Sequence, residues 1–166
     1  EALILKNNFK VPKEEIVEKF QQYYFEKEKL IDNEEWLLPM NTLEELSGKY
    51  RLGIVTGRPR KEALYVLNMF NAIGFFNEVI ALEDYPAEKG KPDPYSIKLA
   101  MKKMGAENAV YFGDSVDDIK AARAAYIRAV GVLPKNVESK KLAKLMKENG
   151  ADTIIESISE ISEAMQ

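Results

Sequence analysis

From residue 51 onward the chain repeats one pattern. A short apolar run ends in glycine or polar residues, and a stretch follows whose apolar positions recur every three or four residues. The runs lie at 51–56, 78–82, 110–113, 127–133 and 153–155. Unbroken apolar runs of this length predict strands buried on both faces. The stretches between them predict helices, with Ala63, Leu64, Leu67 and Phe70 inward in one and Ile97, Leu99, Ala100, Met101 and Met104 inward in the next. A third helix spans 119–125 and a fourth 137–149. Strands alternating with helices predict an α/β fold: a Rossmann-like, mostly parallel sheet flanked by helices, with right-handed crossovers.

Punctuation supports the pattern. Pro94 opens a helix and Gly105 closes it. Asn41, Glu44 and Gly48 predict a short helix with a cap, a capping-box partner and a stop. Ser157 and Glu160 predict a capping box for the terminal helix. Tyr126 follows a helix, and a tyrosine there resists the left-handed conformation that closes many helices, which predicts a different helix ending.

The first part of the chain differs. Residues 1–9 read as the tail of a helix that stops at Asn7 and Asn8. A long helix begins at Pro12, with Ile16, Phe20, Tyr23, Tyr24, Leu30 and Ile31 on one face. Its aromatics are expected to pack against apolar neighbours. A connector over 32–39 carries the single tryptophan, Trp36. The expected domains are therefore 1–38 and 39–166.

Composition removes several function classes. The chain has 166 residues, 46% hydrophobic and 31% charged, with a formal net charge of -3. That balance argues against a nucleic-acid binder. No apolar run approaches the roughly 20 residues of a membrane span, and the first residues lack the features of a signal peptide. With neither cysteine nor histidine there is no thiol catalysis, no Ser-His-Asp triad and no zinc site built on those ligands. Acid–base work falls to carboxylates, lysine or tyrosine. A cytoplasmic location is the default expectation. Lys140, Lys141, Lys144 and Lys147 are read as a solvated helix face.

The strongest chemical signal is Gly113-Asp114-Ser115-Val116-Asp117-Asp118. A strand stops at Gly113, acids follow at once, and a helix begins. Open α/β sheets bind ligands at that edge. Asp114 and Asp118 lie four positions apart and can face one point, which suits Mg2+ held by one or two carboxylates and a substrate phosphate. The competing reading is that Asp114 or Ser115 caps the helix and the other acids complement its dipole. Thr56-Gly57 offers a hydroxyl and amides at a helix N-terminus, a ready anion site. Lys91 offers a cation on a loop stiffened by Pro92 and Pro94.

Three stretches in order, Ile54-Val55-Thr56-Gly57-Arg58-Pro59, Gly90-Lys91-Pro92-Asp93-Pro94 and Gly113 to Asp118, resemble the second, third and fourth motifs of the haloacid dehalogenase-like hydrolases. The resemblance is greatest to subfamily I phosphatases with a helical cap, and it is tight over about residues 50–133. It implies that Thr56 and the Gly57 amide bind the transferring phosphoryl group and that Lys91 stabilises its charge. It implies that Asp114 binds Mg2+ directly and Asp118 directly or through water, with Ser115 and Asp117 behind them. Arg58 is a candidate contact for a substrate carboxylate. The implied reaction is hydrolysis of a small phosphorylated metabolite through a phospho-aspartate. The acid pair favours the metal-using phosphatases over the metal-free dehalogenases.

The first motif of that family, Asp-x-Asp-Gly, which carries the nucleophile, is absent from these residues. Its strand belongs between those ending at Thr56 and Asp114. Without it, backbone groups in the core would go unpaired at roughly 1–3 kcal/mol each. The expectation is that a segment before Glu1, or a second chain, supplies that strand. The alternative is a non-catalytic chain that binds phosphate or Mg2+ without turnover. A response-regulator-like receiver also clusters acids with a lysine, but in a different order along the chain. The sequence does not indicate an oligomeric state.

Overall fold

The computed structural model describes residues 12–135 and 139–165. The helix tail expected at 1–9 and the helix start expected at 137 lie outside the described residues. The chain divides into two compact units between Glu35 and Trp36.

In the first unit, α1 (Lys13–Gln21) follows Pro12, widens into a π-helical turn at Gln22–Lys27 and ends in a 3-10 turn at Leu30–Asn33. The expected single long helix is thus broken into three pieces. Lys29 takes a left-handed conformation before the last of them. Phe20 stacks on Tyr24 with ring centroids 5.2 Å apart, and the Tyr24 hydroxyl bonds Glu34. The expected apolar packing is only partly met: Phe20 and Tyr23 are exposed, and Ile31 is the buried hydrophobic among the described residues here.

The second unit is α/β, as the alternation predicts. Its elements are α2 (Met40–Lys49), β1 (Gly53–Val55), α3 (Arg60–Met69), β2 (Glu78–Ile80), α4 (Tyr95–Met104) and β3 (Val110–Gly113). They continue with α5 (Val116–Ala124), β4 (Arg128–Val132), α6 (Ser139–Glu148), β5 (Thr153–Ile155) and α7 (Ile161–Ala164). All pairings are parallel. The strands form two sheets, β1-β2 and β3-β4-β5, and among the described residues no strand joins β1 to β3.

Several local expectations change. α2 is entered from Pro39, so Asn41 lies inside it rather than capping it, and Gly48 does not stop it. Proline supplies a preset φ at the entrance, and an exposed helical glycine is tolerated. Ser157 caps by accepting from the Ser159 N–H rather than by a box with Glu160. Tyr126 does adopt the left-handed conformation, at φ 65°. The helix end requires it: the Ile127 N–H reaches back to the Ala122 carbonyl and the Tyr126 N–H to that of Arg123. The ring remains 91% exposed, against Lys98.

The core follows the pleat. Alternate β3 residues face opposite ways. Tyr111 packs toward the cluster of Ile97, Ile119 and Met146, whereas Val110 and Phe112 pack toward Val130, Ile155 and Ala164. A separate cluster of Leu43, Ala63, Leu67 and Val79 anchors β1 and β2. The α6 lysines are exposed, as the solvated-face reading expects.

Candidate active site

Between the two sheets lies a groove of about 480 Å³. Its walls are largely apolar, with Trp36, Leu38, Phe76, Val55, Phe112 and Val132 among the residues lining it. At the carboxyl ends of β1 and β3 it turns polar, and Thr56, Lys91, Asp114 and Asp118 all line it. Residues from three separate loops thus line one groove, beside the carboxyl ends of strands from two sheets.

Thr56 is tightly held. Its N–H bonds the Ile80 carbonyl, its carbonyl accepts from the Tyr85 hydroxyl at 3.2 Å, and its Oγ1 accepts from the Arg58 N–H at 3.1 Å. Gly57 borders open space: a Cβ there would meet nothing within 4 Å. The expected supply of amides is reduced at this helix entrance. The Arg58 N–H is taken by Thr56, and the Arg60 N–H donates to Glu83 at 2.8 Å. Glu83 already serves as the anion for the start of α3. Arg58 is exposed, and its carbonyl accepts from Leu82.

Asp118 is buried at the start of α5, where the structure meets the helix-capping reading. Ser115 caps the helix, accepting from the Asp118 N–H at 3.1 Å. Asp118 completes the capping box: its Oδ2 accepts from the Ser115 N–H at 3.1 Å and the Ser115 hydroxyl at 2.6 Å. Its Oδ1 accepts from Lys91 Nζ at 2.6 Å and the Tyr111 hydroxyl at 3.2 Å. Burial alone would push this carboxyl up, but the bonds from Lys91 and Ser115, with the lysine's charge and the Tyr111 bond, hold it below its ordinary value. Gly113 makes the arrangement fit. A Cβ on Gly113 would lie 2.2 Å from that of Asp118, closer than atoms can approach.

Asp114 is exposed at the mouth of the groove. Asp117 is exposed on α5 and pairs with Lys120 at 4.0 Å rather than with a site residue. Tyr111 lies outside the chemical motifs of the sequence. Its phenol is raised well above the usual tyrosine range by burial first and then by the Asp118 charge, so it stays protonated. The signal was available: Tyr111 lies two positions before Gly113, on the same strand face. Within an apolar run it read as core.

The donor set fits a hard divalent cation in a limited way. Asp114 offers a carboxylate with no protein donor among the described residues, as such an ion requires. Both Asp118 oxygens already have protein donors, so that residue suits a place behind a bound water. Among the described residues no cluster of three acidic or other metal-ligating side chains occurs.

Parallel strands gathering a lysine, a threonine and an acid pair beside their carboxyl ends define a class of α/β protein suited to anionic ligands. The chain belongs to the haloacid dehalogenase-like hydrolases, whose family model matches residues 4–132. It is 36% identical over 138 residues to an imidazoleglycerol-phosphate dehydratase of Phytophthora nicotianae, covering 76% of this chain and 30% of that one. It is 34% identical over 96 residues to the pyrophosphatase PpaX of Bacillus pumilus, covering 56% of this chain and 44% of that one. The chain therefore spans less than half the length of these curated relatives. A solved structure described as a predicted phosphoglycolate phosphatase from Haemophilus somnus superposes with a TM-score of 0.77 over 98% of this chain and 72% of that one. At 24% identity it speaks for the fold alone.

Proposed function

We propose that this chain forms most of the core of an Mg2+-dependent phosphatase acting on a small phosphorylated metabolite through a phospho-aspartate. The nucleophilic aspartate is carried by a segment before Glu1 or by a second chain. The carrying observation is the convergence of Lys91, Thr56 and Asp114 on one groove. The names of relatives such as the PpaX pyrophosphatase support the phosphatase class. The apolar walls between β1 and β3 support the strand: they suit an extended, mostly apolar segment hydrogen-bonded to both sheets.

In this reading the Thr56 hydroxyl and Gly57 amide hold a phosphoryl oxygen, and Lys91 faces the charge that builds up as phosphorus is attacked. Asp114 would hold Mg2+, Asp118 orients Lys91, and Ser115 fixes Asp118. Bound Mg2+ would supply charge neutralisation for the phosphoryl oxygens. Arg58 borders the phosphate side, where it can meet a substrate carboxylate. Residues 1–38 form part of a cap that selects the substrate, and the protein works in the cytoplasm.

The test is phosphate release from a panel of phosphate monoesters by the full-length protein. Release that requires Mg2+ and stops on chelation is expected. Binding of inorganic phosphate without turnover on any monoester would favour the non-catalytic alternative. Full activity from material of intact mass 18.9 kDa would overturn the supplied-strand part of the reading.

A further inference from the structure

We propose that Tyr111 is a positioning residue that tethers Lys91, and that its hydroxyl sets where the lysine ammonium stands in the groove. The functional consequence rests on the phosphatase reading; the tether itself does not.

Three elements contribute one residue each. Lys91 comes from the loop before α4, Tyr111 from β3 and Asp118 from α5. Their polar atoms close a triangle. Lys91 Nζ lies 2.6 Å from Asp118 Oδ1 and 3.3 Å from the Tyr111 oxygen, which lies 3.2 Å from the same Oδ1. The bonding capacities match. The phenol has one proton, given to Asp118, and accepts from Lys91. The ammonium has three protons: one goes to Asp118 and one to Tyr111, leaving the third for an anion.

A lysine carries four rotatable bonds, and a single carboxylate partner leaves its head free to swing about that contact. A second partner on a strand removes the swing. Tyr111 can do this because it shares a face of β3 with Gly113. The missing Cβ at Gly113 lets Asp118 settle against the strand, bringing its Oδ1 to the phenol. The Asp118 Oδ2 is held separately by Ser115, so loss of the phenol would not release the carboxylate. The hydroxyl therefore acts on Lys91. The Tyr111 ring also lies 6.0 Å from Lys91 Nζ, and a phenylalanine would keep that contact.

Tyr111→Phe in the full-length protein isolates the hydroxyl. Three readouts are combined: acetylation of individual lysines by acetic anhydride followed by peptide mass spectrometry, thermal midpoint, and steady-state kinetics. The expected result is that Lys91 labels about threefold faster or more relative to Lys98. The midpoint stays within about 2 °C, kcat falls about five- to tenfold and KM changes less than about twofold. A purely structural role would lower the midpoint without selecting Lys91. Unchanged Lys91 labelling overturns the proposal, as does unchanged kcat in an active enzyme. Faster Lys91 labelling in a protein that releases no phosphate would uphold the tether and remove the phosphatase reading, so the two fail separately.

Discussion

Gly113 and Asp118 show how one atom decides the site. Because a Cβ at 113 would lie 2.2 Å from that of Asp118, Gly113→Ala must push α5 or the Asp118 side chain away. The expected outcome is a loss of about 1–3 kcal/mol in stability, read by denaturant unfolding, with activity falling alongside it. The Lys91–Asp118 pair carries a second prediction. The Asp118 side chain is 5% exposed and that of Lys91 22%. Lys91→Met leaves a buried carboxylate without its cation and is expected to cost about 3 kcal/mol. Adding Asp118→Asn should restore part of that loss; a double variant no more stable than the single one would contradict the electrostatic account. Tyr126 gives a third. Its left-handed backbone costs a non-glycine residue about 1–2 kcal/mol, and its exposed ring returns little beyond the Lys98 contact. Tyr126→Gly should therefore raise stability by about 0.5–1 kcal/mol, seen as a higher thermal midpoint.

The loop from β1 into α3 is set by its neighbour after β2. Arg60 bonds the Val79 carbonyl at 2.9 Å and the Asp84 carboxylate, while Asp84 accepts from the Ala81 N–H at 2.7 Å. Burial pushes the Asp84 carboxyl up, but the Ala81 N–H and Arg60 outweigh it, and the net direction is down. A carboxyl whose folded value is depressed adds stability above its unfolded value of about 3.8, and that stability is lost as pH falls through the folded value. The stability gap between the parent and Asp84→Asn should thus be flat near neutral pH and close below about pH 4, as measured by urea unfolding across pH. Local spacing predicted both strands and the helix between them, because burial periodicity is a property of neighbouring residues. It did not predict that Glu83 would occupy the Arg60 amide, a contact between residues 23 positions apart. Nor did it predict the breaks in the first helix: Lys29 takes a left-handed backbone where the apolar spacing carries on unbroken.

Two parallel sheets flank one apolar groove, and α4 contacts β1, β2 and α5. If an extended segment pairs with both inner edges, the β1 and β3 amides should exchange slowly in the full-length protein and much faster in the 166-residue chain. Equal rates would argue against a strand in the groove. Trp36 lines that groove and its indole N–H is buried without a partner among the described residues, so its fluorescence should report the same difference.

Sequence order by itself determined the alternation of strands and helices, the sheet edge bearing the chemistry, and the residue types able to meet there. Those follow from side-chain period and from where apolar runs stop. Only the folded packing decided which atoms were already engaged: Asp118 closed by Lys91, Tyr111 and Ser115, Asp114 left open, and Tyr111 drawn from the core into the site. Those outcomes depend on how closely α5 approaches β3. That distance is set by the missing Cβ at Gly113 acting across the fold, which no pattern along the chain expresses.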